Sequence, residues 1–594
     1  MIPRTRLGLS LAIVGLLFVF HVHLKTTKIF RNVTWDVHDE VGQFWSEFAF
    51  HYRFAKIFAE KSDWSQLSHD RSVQYPDTID DWAEFTVVME VPVGVLYRWL
   101  KPAMPFHVFV VWYDCLVSSL SLFAIFFLTR ALWRSDAAGV FASAFYATLY
   151  PSYGRTVKNL FLREDFAIPL LLFALFFSVR ALQENSGTGV SPVQAGEQNG
   201  RDARSTIWQI LAALFWLAAL ASWHLTQFVL AVGMGAAVLV YLGKGETPRL
   251  PWFVIVLAVG GVVIPVLRAK QFYLSPTMCV LYALSLAVWI NGGRKRATIV
   301  FAGWLVALVG LSMWLQKSQS EYAHVYQLFF AKLRFLGVKP DEPSKLTWEA
   351  RCLWEGAFNT ATASEWWHSL QWCLPLAIVA GWKVGRLEVW KNVIVVFALL
   401  LVPLSWMVLR YFTFLGFAVA VVAAGLITQR VWWRAAVVFA VVWQLCALNL
   451  QPLERGSPDP KSYAGIVAWI QEQTPTNAVL LAHIADSPVI LAETGRPIIL
   501  HSKFENRRIR ERYREMLDAI YGDEFYAFAI KYGVDYFVYD AGYLLAAKDS
   551  RRYKADKLGP LDPNCAAMLF ETGHIPHFEK VFADDRFIVF RVLH

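Results

Sequence analysis

The amino-acid sequence predicts a polytopic α-helical membrane protein with a small α/β domain at its C-terminal end. Three observations carry this. Hydrophobic residues make up 56% of the 594, including 44 Phe and 26 Trp, more apolar surface than a soluble globule of this size can hide. Apolar runs of about 18–25 residues recur, the length at which a helix spans a hydrocarbon core. From about residue 455 the composition turns polar, and helical periodicity alternates with short apolar runs of strand type.

Residues 8–24 form the first apolar segment, after "MIPRTR" and without a small-residue cleavage site, which reads as a retained helix rather than a signal peptide. A polar loop over 25–103 follows. Further spans are predicted near 104–132, 136–151, 165–182, 206–221, 223–242 and 251–268. The remainder fall near 273–291, 297–315, 370–385, 391–409, 411–428 and 431–450. The total is about thirteen membrane helices.

With the N-terminus on the cytoplasmic side, every even-numbered connection carries Lys or Arg, from "RALWRSD" and "GKGETPR" to "GGRKR" and "TQRVWWR". Such loops absorb the formal charge of +9, so the basic balance asks for no nucleic-acid partner. An odd number of spans puts the C-terminal domain, 455–594, on the outer face with the loops 25–103 and 316–369. Residues 1–454 make up the transmembrane domain. In a prokaryote the outer face is the periplasmic or extracytoplasmic side of the inner or plasma membrane; in a eukaryote it is the lumen of the endoplasmic reticulum.

Residues 184–204 are Gly/Ser/Gln-rich without apolar periodicity, which predicts a disordered cytoplasmic insert. In the C-terminal domain "SYAGIVAWIQEQT" predicts an amphipathic helix and "RRIRERYREMLDAIYG" a charged one. "NAVLLAHI", "RPIILH" and "VDYFVYD" predict strands, and "FEKVFADDRFIVFRVL" a hairpin turning at Asp-Asp. The six cysteines form no CxxC pair and no metal-ligand spacing. Cys352 and Cys565 lie in polar regions, where pairing stays open. Neither a metal nor another cofactor is expected.

A transporter has short loops and substrate groups near the bilayer midplane. Long polar segments gathered on one face suit instead an enzyme that works at the membrane surface on a lipid-borne substrate.

Four groups of residues stand out as candidates. The stretch "NVTWDVHDEVGQFWSEFAFHY" sets Asp36, Asp39, Glu40 and Glu47 among aromatics. A sugar transferase with a lipid-phosphate donor needs a carboxylate near the anomeric carbon; the same acids also suit the wet face of a juxtamembrane helix. Cations at outer ends of spans, Arg155, Lys158, Arg163, Arg268, Lys270 and Arg410, have no topological role there. They match either a lipid phosphate or headgroup snorkelling. In "SWHLTQFVL", Trp223, His224 and Gln227 interrupt an apolar region. The loop 316–369 holds His324, Glu349, Glu355 and Glu365 among tryptophans, as an interfacial belt or a sugar platform would.

Several of these segments resemble one family, the tryptophan C-mannosyltransferases of the GT-C glycosyltransferase superfamily. "DEVGQFWS" is similar to its first-loop motif, which puts Glu40 at the position of the catalytic base, with Asp39 in reserve. "RTVKNLFLREDFAIPLL" resembles the segment ending in Leu-Arg-Glu, and "SWHLTQFVL" a Pro-Trp-Gln-x-x-Gln-Phe-Val-Leu run. "AHVYQLFFAK", "RPIILHSKFEN" and "HFEKVF" have counterparts in the same order. The chain departs from the pattern at "KNLF", at His224 in place of Gln, and at Lys503 in place of the second of two histidines, of which His501 remains.

The resemblance implies a GT-C fold and a polyprenyl-phosphate sugar, mannose, as donor. It implies C2 of a protein tryptophan as acceptor. Arg155, Arg163 and Arg410 would bind the lipid phosphate. Trp223, His224, Gln227, His324, Glu355 and His501 would line the donor or acceptor pocket. The departures keep a second acceptor class open, a hydroxyl or a lipid-linked glycan. A lipid-sugar flippase or transporter is the rival of another kind.

Overall fold

The computed structural model describes residues 2–185, 195–244, 250–289, 294–315, 323–384, 389–449, 451–455, 458–540, 544–545, 550–573 and 575–594. Among the described residues six helices are long and apolar enough to cross a membrane: Arg6–Phe30, Phe106–Trp133, Arg163–Glu184, Ala203–Ser222, Thr298–Leu315 and Leu409–Thr428. Six shorter apolar helices accompany them, Thr226–Val240, Pro251–Val263, Pro276–Ala287, Cys373–Lys383, Lys391–Met407 and Val431–Cys446. Each of the thirteen expected spans falls on a helix, but only six have full spanning length. The Asp136–Thr148 helix packs against Ser121–Trp133 and Phe412–Ala424 and starts on a Ser135 cap that accepts from the Ala138 N–H. Phe412–Ala424 is buried on every side and forms the axis of the main core.

Of the expected disordered insert, residues 186–194 lie outside the described part. Residues 195–204 are helical instead, because the Ala195–Ser222 helix carries its apolar span back over them.

The C-terminal segment builds a four-stranded sheet in the order β1-β2-β4-β3, with β1 Leu480–Leu481, β2 Tyr536–Asp540, β3 Phe578–Ala583 and β4 Phe587–Val592. β1 runs parallel to β2, and the other pairs are antiparallel. The expected hairpin forms around Asp584 and Asp585. The Arg507–Ile520 helix follows an Asn506 cap that accepts from the Ile509 N–H. "RPIILH" is not a regular strand: Ile498 bridges Leu480 on one side, while its backbone exchanges hydrogen bonds with Ser72 and Tyr75 of the first loop on the other. Cys352 and Cys565 are buried and unpaired.

That exchange is one of several between the first loop and the C-terminal segment. Phe50, Phe54 and Phe58 share one core with Leu491 and Ile498. Lys28 donates to the Asn449 and Gln451 carbonyls, and Asn32 to that of Leu453. Gly42, at φ +69°, packs so closely on Pro460 that a Cβ would stand 2.8 Å from its carbonyl oxygen. The loop is a folded layer between membrane helices and sheet, and the site lies beside it.

Candidate active site

The Glu47–Glu60 helix opens with Glu47, so this carboxylate sits where unpaired backbone N–H groups favour negative charge. His51 lies one turn on along the same face. Lys503, from the far end of the sequence, meets both: its Nζ donates to Glu47 Oε2 at 3.2 Å and to His51 Nε2 at 2.9 Å. An ammonium has no acceptor, so His51 receives at Nε2 and carries its proton on Nδ1. That proton goes to Glu90 Oε1 at 2.5 Å, on a fully buried carboxylate.

Arg163 and Arg410 complete the group from two membrane helices. Arg163 starts the Arg163–Asn185 helix, with its Nη2 3.5 Å from Glu90 Oε1. It is 6% exposed, yet its Nε and Nη2 have no hydrogen-bond partner among the described residues. Arg410 donates from Nε and Nη2 to Glu164 Oε2, at 3.2 and 2.8 Å, and stands 5.2 Å over the Trp223 ring. Glu164 also accepts from Arg155.

Glu47, His51, Arg163, Arg410, Lys503 and Glu505 face a cleft of about 120 Å³, with Trp223, His224, His324, Phe329, Phe358 and Tyr411 supplying its other walls. Burial pushes Glu47 upward, but Lys503 and Arg410 outweigh it and hold the carboxyl below its ordinary value. Glu505 is likewise pushed up by burial and brought down to about 2 by Lys503, His224 and Arg163. Burial, with Arg163 and Lys503, sets His51 well below its usual range, and burial leaves His224 at about 3. At neutral pH the cleft therefore offers neutral imidazoles, ionised carboxylates and a set of cations. Among the described residues no group of three or more His, Cys, Asp or Glu is arranged to hold a metal.

Of the candidate residues, Arg163, Arg410, Trp223, His224 and His324 are thus brought together. Glu40 is not. Its carboxylate accepts from Tyr52 Oη at 2.6 Å and Lys56 Nζ at 2.8 Å, and Lys56, nine positions after Glu47, emerges on the opposite side of that helix. Asp39 closes a turn by accepting from the Val41 N–H. Arg155 stands behind Glu164, outside the cleft wall. Gln227 lies one position from wall residue Phe228 without joining it. Glu355 is taken up by Lys554 at 2.7 Å. His501 packs between Phe50 and Phe85 and accepts from the Lys503 backbone N–H, shaping the turn rather than the wall. Sequence reasoning passed over His51, Glu90 and Glu505, and weighed Glu47 only as one of four acids in the first loop. The signal for Glu47 and His51 was their i, i+4 spacing in "EFAFH". Asp114 faces Asp165 near Lys25 within the membrane part.

A family model described as Dpy19, Q-cell neuroblast polarisation, matches residues 12–339 and 386–592. The chain belongs to the Dpy19 family. Among solved structures, this Dpy19 chain is similar to the archaeal oligosaccharyltransferase AglB from Archaeoglobus fulgidus in complex with an inhibitory peptide and a dolichol-phosphate. The TM-score is 0.71 at 12% identity, over 97% of this chain and 79% of that one. The Archaeoglobus fulgidus oligosaccharyltransferase tethered with an acceptor peptide containing the NVT sequon matches at TM-score 0.64 and 12% identity, over the same 97% and 79%. No protein of curated function matches the sequence. The Dpy19 chain has the GT-C fold and is a multi-pass membrane glycosyltransferase.

Proposed function

We propose that this chain transfers mannose from a polyprenyl-phosphate monosaccharide to C2 of a tryptophan indole in a polypeptide. The observation that carries the reading is the cleft itself, where Arg163, Arg410 and Lys503 converge within reach of the Glu47 carboxylate. The under-bonded Arg163 guanidinium is suited to phosphate oxygens, and Arg410, braced by Glu164 and Trp223, supplies a second fork. AglB, of the same fold, is described with a dolichol-phosphate and with peptides, which supports a lipid phosphate donor and a polypeptide acceptor.

In the reaction the indole C2 attacks the anomeric carbon. The carbon–oxygen bond to phosphate breaks, and its electron pair leaves with the lipid phosphate. The cationic ring then loses its C2 proton to a carboxylate. The resemblance points to Glu40 for that role; the geometry favours Glu47, which alone of the two faces the cations.

The test is to incubate the purified chain with polyprenyl-phosphate mannose and a Trp-x-x-Trp peptide, then fragment the product by mass spectrometry. Hexose retained on the tryptophan side chain is the expected result. Facile hexose loss would move the acceptor to a hydroxyl. Movement of intact donor lipid without transfer would overturn the reading in favour of a flippase.

A further inference from the structure

Lys503 carries the chain's departure from the histidine pair, and its surroundings give that change a chemical use. The ammonium has three protons. Glu47 Oε2 at 3.2 Å and His51 Nε2 at 2.9 Å take two of its directions, and the group lines the same cleft as Arg163 and Arg410. It therefore stands between a carboxylate that gains a proton in the proposed reaction and the place where a phosphate would gain negative charge.

We propose that Lys503 is the proton carrier of the transfer, giving a proton to the departing lipid phosphate and recovering the one that Glu47 has taken from the acceptor. This rests on the mannosyl-transfer reading above. In the first step a Lys503 N–H bond breaks and an O–H bond forms on the phosphate, leaving a neutral amine. In the second, the Glu47 O–H bond breaks and the N–H bond is restored. The acceptor's proton ends on the product phosphate, and both side chains return to their starting charge. No charge accumulates in a buried cleft, where isolated charge is costly.

An arginine could bind the phosphate but not carry the proton, since guanidinium does not deprotonate in this range. Lysine can, and burial together with Arg163 lowers Lys503 from its ordinary value against the opposing pull of Glu47 and Glu505. The other charged or ionisable groups around it are Arg410, His324 and Tyr411 of the same cleft, His51 and Glu90, His224 from the turn between membrane helices, and His501 on its own segment. His51 is a positioning residue. Held as a neutral acceptor by Glu90, it fixes the ammonium without adding charge.

The experiment compares the wild-type full-length chain with K503R and K503H in nanodiscs. It uses polyprenyl-phosphate mannose and the Trp-x-x-Trp peptide, and follows thermal melting, donor KM, kcat across pH and the solvent isotope effect. K503R is expected to keep donor KM within about threefold, lose about 100-fold in kcat, and lose the alkaline limb that reports the Lys503 proton. K503H restores transfer with that limb moved to lower pH, as an imidazole requires. Should K503R fail to fold, the K503H limb alone decides. K503R with wild-type kcat, or K503H with an unmoved limb, overturns the inference while leaving the function intact. A wild-type chain that transfers no sugar overturns both.

Discussion

Arg410 closes on Glu164 with two guanidinium nitrogens, Nε at 3.2 Å and Nη2 at 2.8 Å, and presses its flat face toward Trp223. Glu164 is 2% exposed, so the pair is a buried one, and its value lies in aiming the guanidinium rather than in attraction alone. Replacing Arg410 with Ala removes one of two partners of a buried carboxylate and should cost roughly 3 kcal/mol of stability. Donor affinity should fall more than about tenfold. R410K keeps the charge but loses the fork and the stacked face, and should fall between. Melting curves and donor titrations measure both; an R410K as tight as wild type would refute the fork.

Glu47 and Glu40 make opposite predictions. E47Q should lower kcat at least about 100-fold while donor affinity changes little, because a general base is lost and the phosphate cations stay. E40Q loosens Lys56 and Tyr52 outside the cleft and should cost less than about tenfold. Equal losses in the two variants would return the base to Glu40.

Gly42 tests the joint between the first loop and the C-terminal segment. At φ +69° an added Cβ would also stand 2.9 Å from the Tyr463 ring. Gly42→Ala combines left-handed strain with a backbone clash and should destabilise by about 1–3 kcal/mol. Proteolysis near residue 460 should become faster along with the drop in melting temperature. A variant as stable as wild type would show that this close approach is not needed.

Glu493 gives the pH prediction. Burial and the nearby Glu40 raise its carboxyl from the ordinary 4.5 to about 7, against the pull of Lys56. The folded chain therefore holds this proton more tightly than the unfolded one. The resulting stability is complete below about 4.5 and is lost as pH rises through about 7, by roughly 3 kcal/mol. Melting at pH 5.5 and 8.5 should show the loss in wild type and a smaller one in E493Q. Equal slopes in the two proteins would count against it.

How much of this was written legibly in the sequence depends on the range of the interaction. The membrane helices and the hairpin at Asp584 follow from local periodicity and turn chemistry, and both were readable. "RPIILH" was misread because its partners are a single bridge at Leu480 and two first-loop residues more than 400 positions away. The motif around Glu40 points to that acid, and the structure sets it on Tyr52 and Lys56 outside the cleft, a contact that follows only from the helical turn after Glu47. Arg163 and Arg410 were legible as candidates because cations at predicted outer span ends have no topological role, which left a lipid phosphate or headgroup snorkelling, and Trp223 because it interrupts an apolar region. Lys503 stood out only as an exception to a pattern; its reach to the first loop belongs to the fold.

The bond between Lys503 and Glu47 joins residues 456 positions apart, which places the finished site late in the life of the molecule. A ribosome delivers the chain from its N-terminus, so every membrane helix has been made before Lys503 exists. Until then Glu47 and His51 lack their shared ammonium, and the cations of the bundle face a gap. A nascent chain arrested before residue 503 would carry the membrane helices without the ammonium that joins Glu47 to His51.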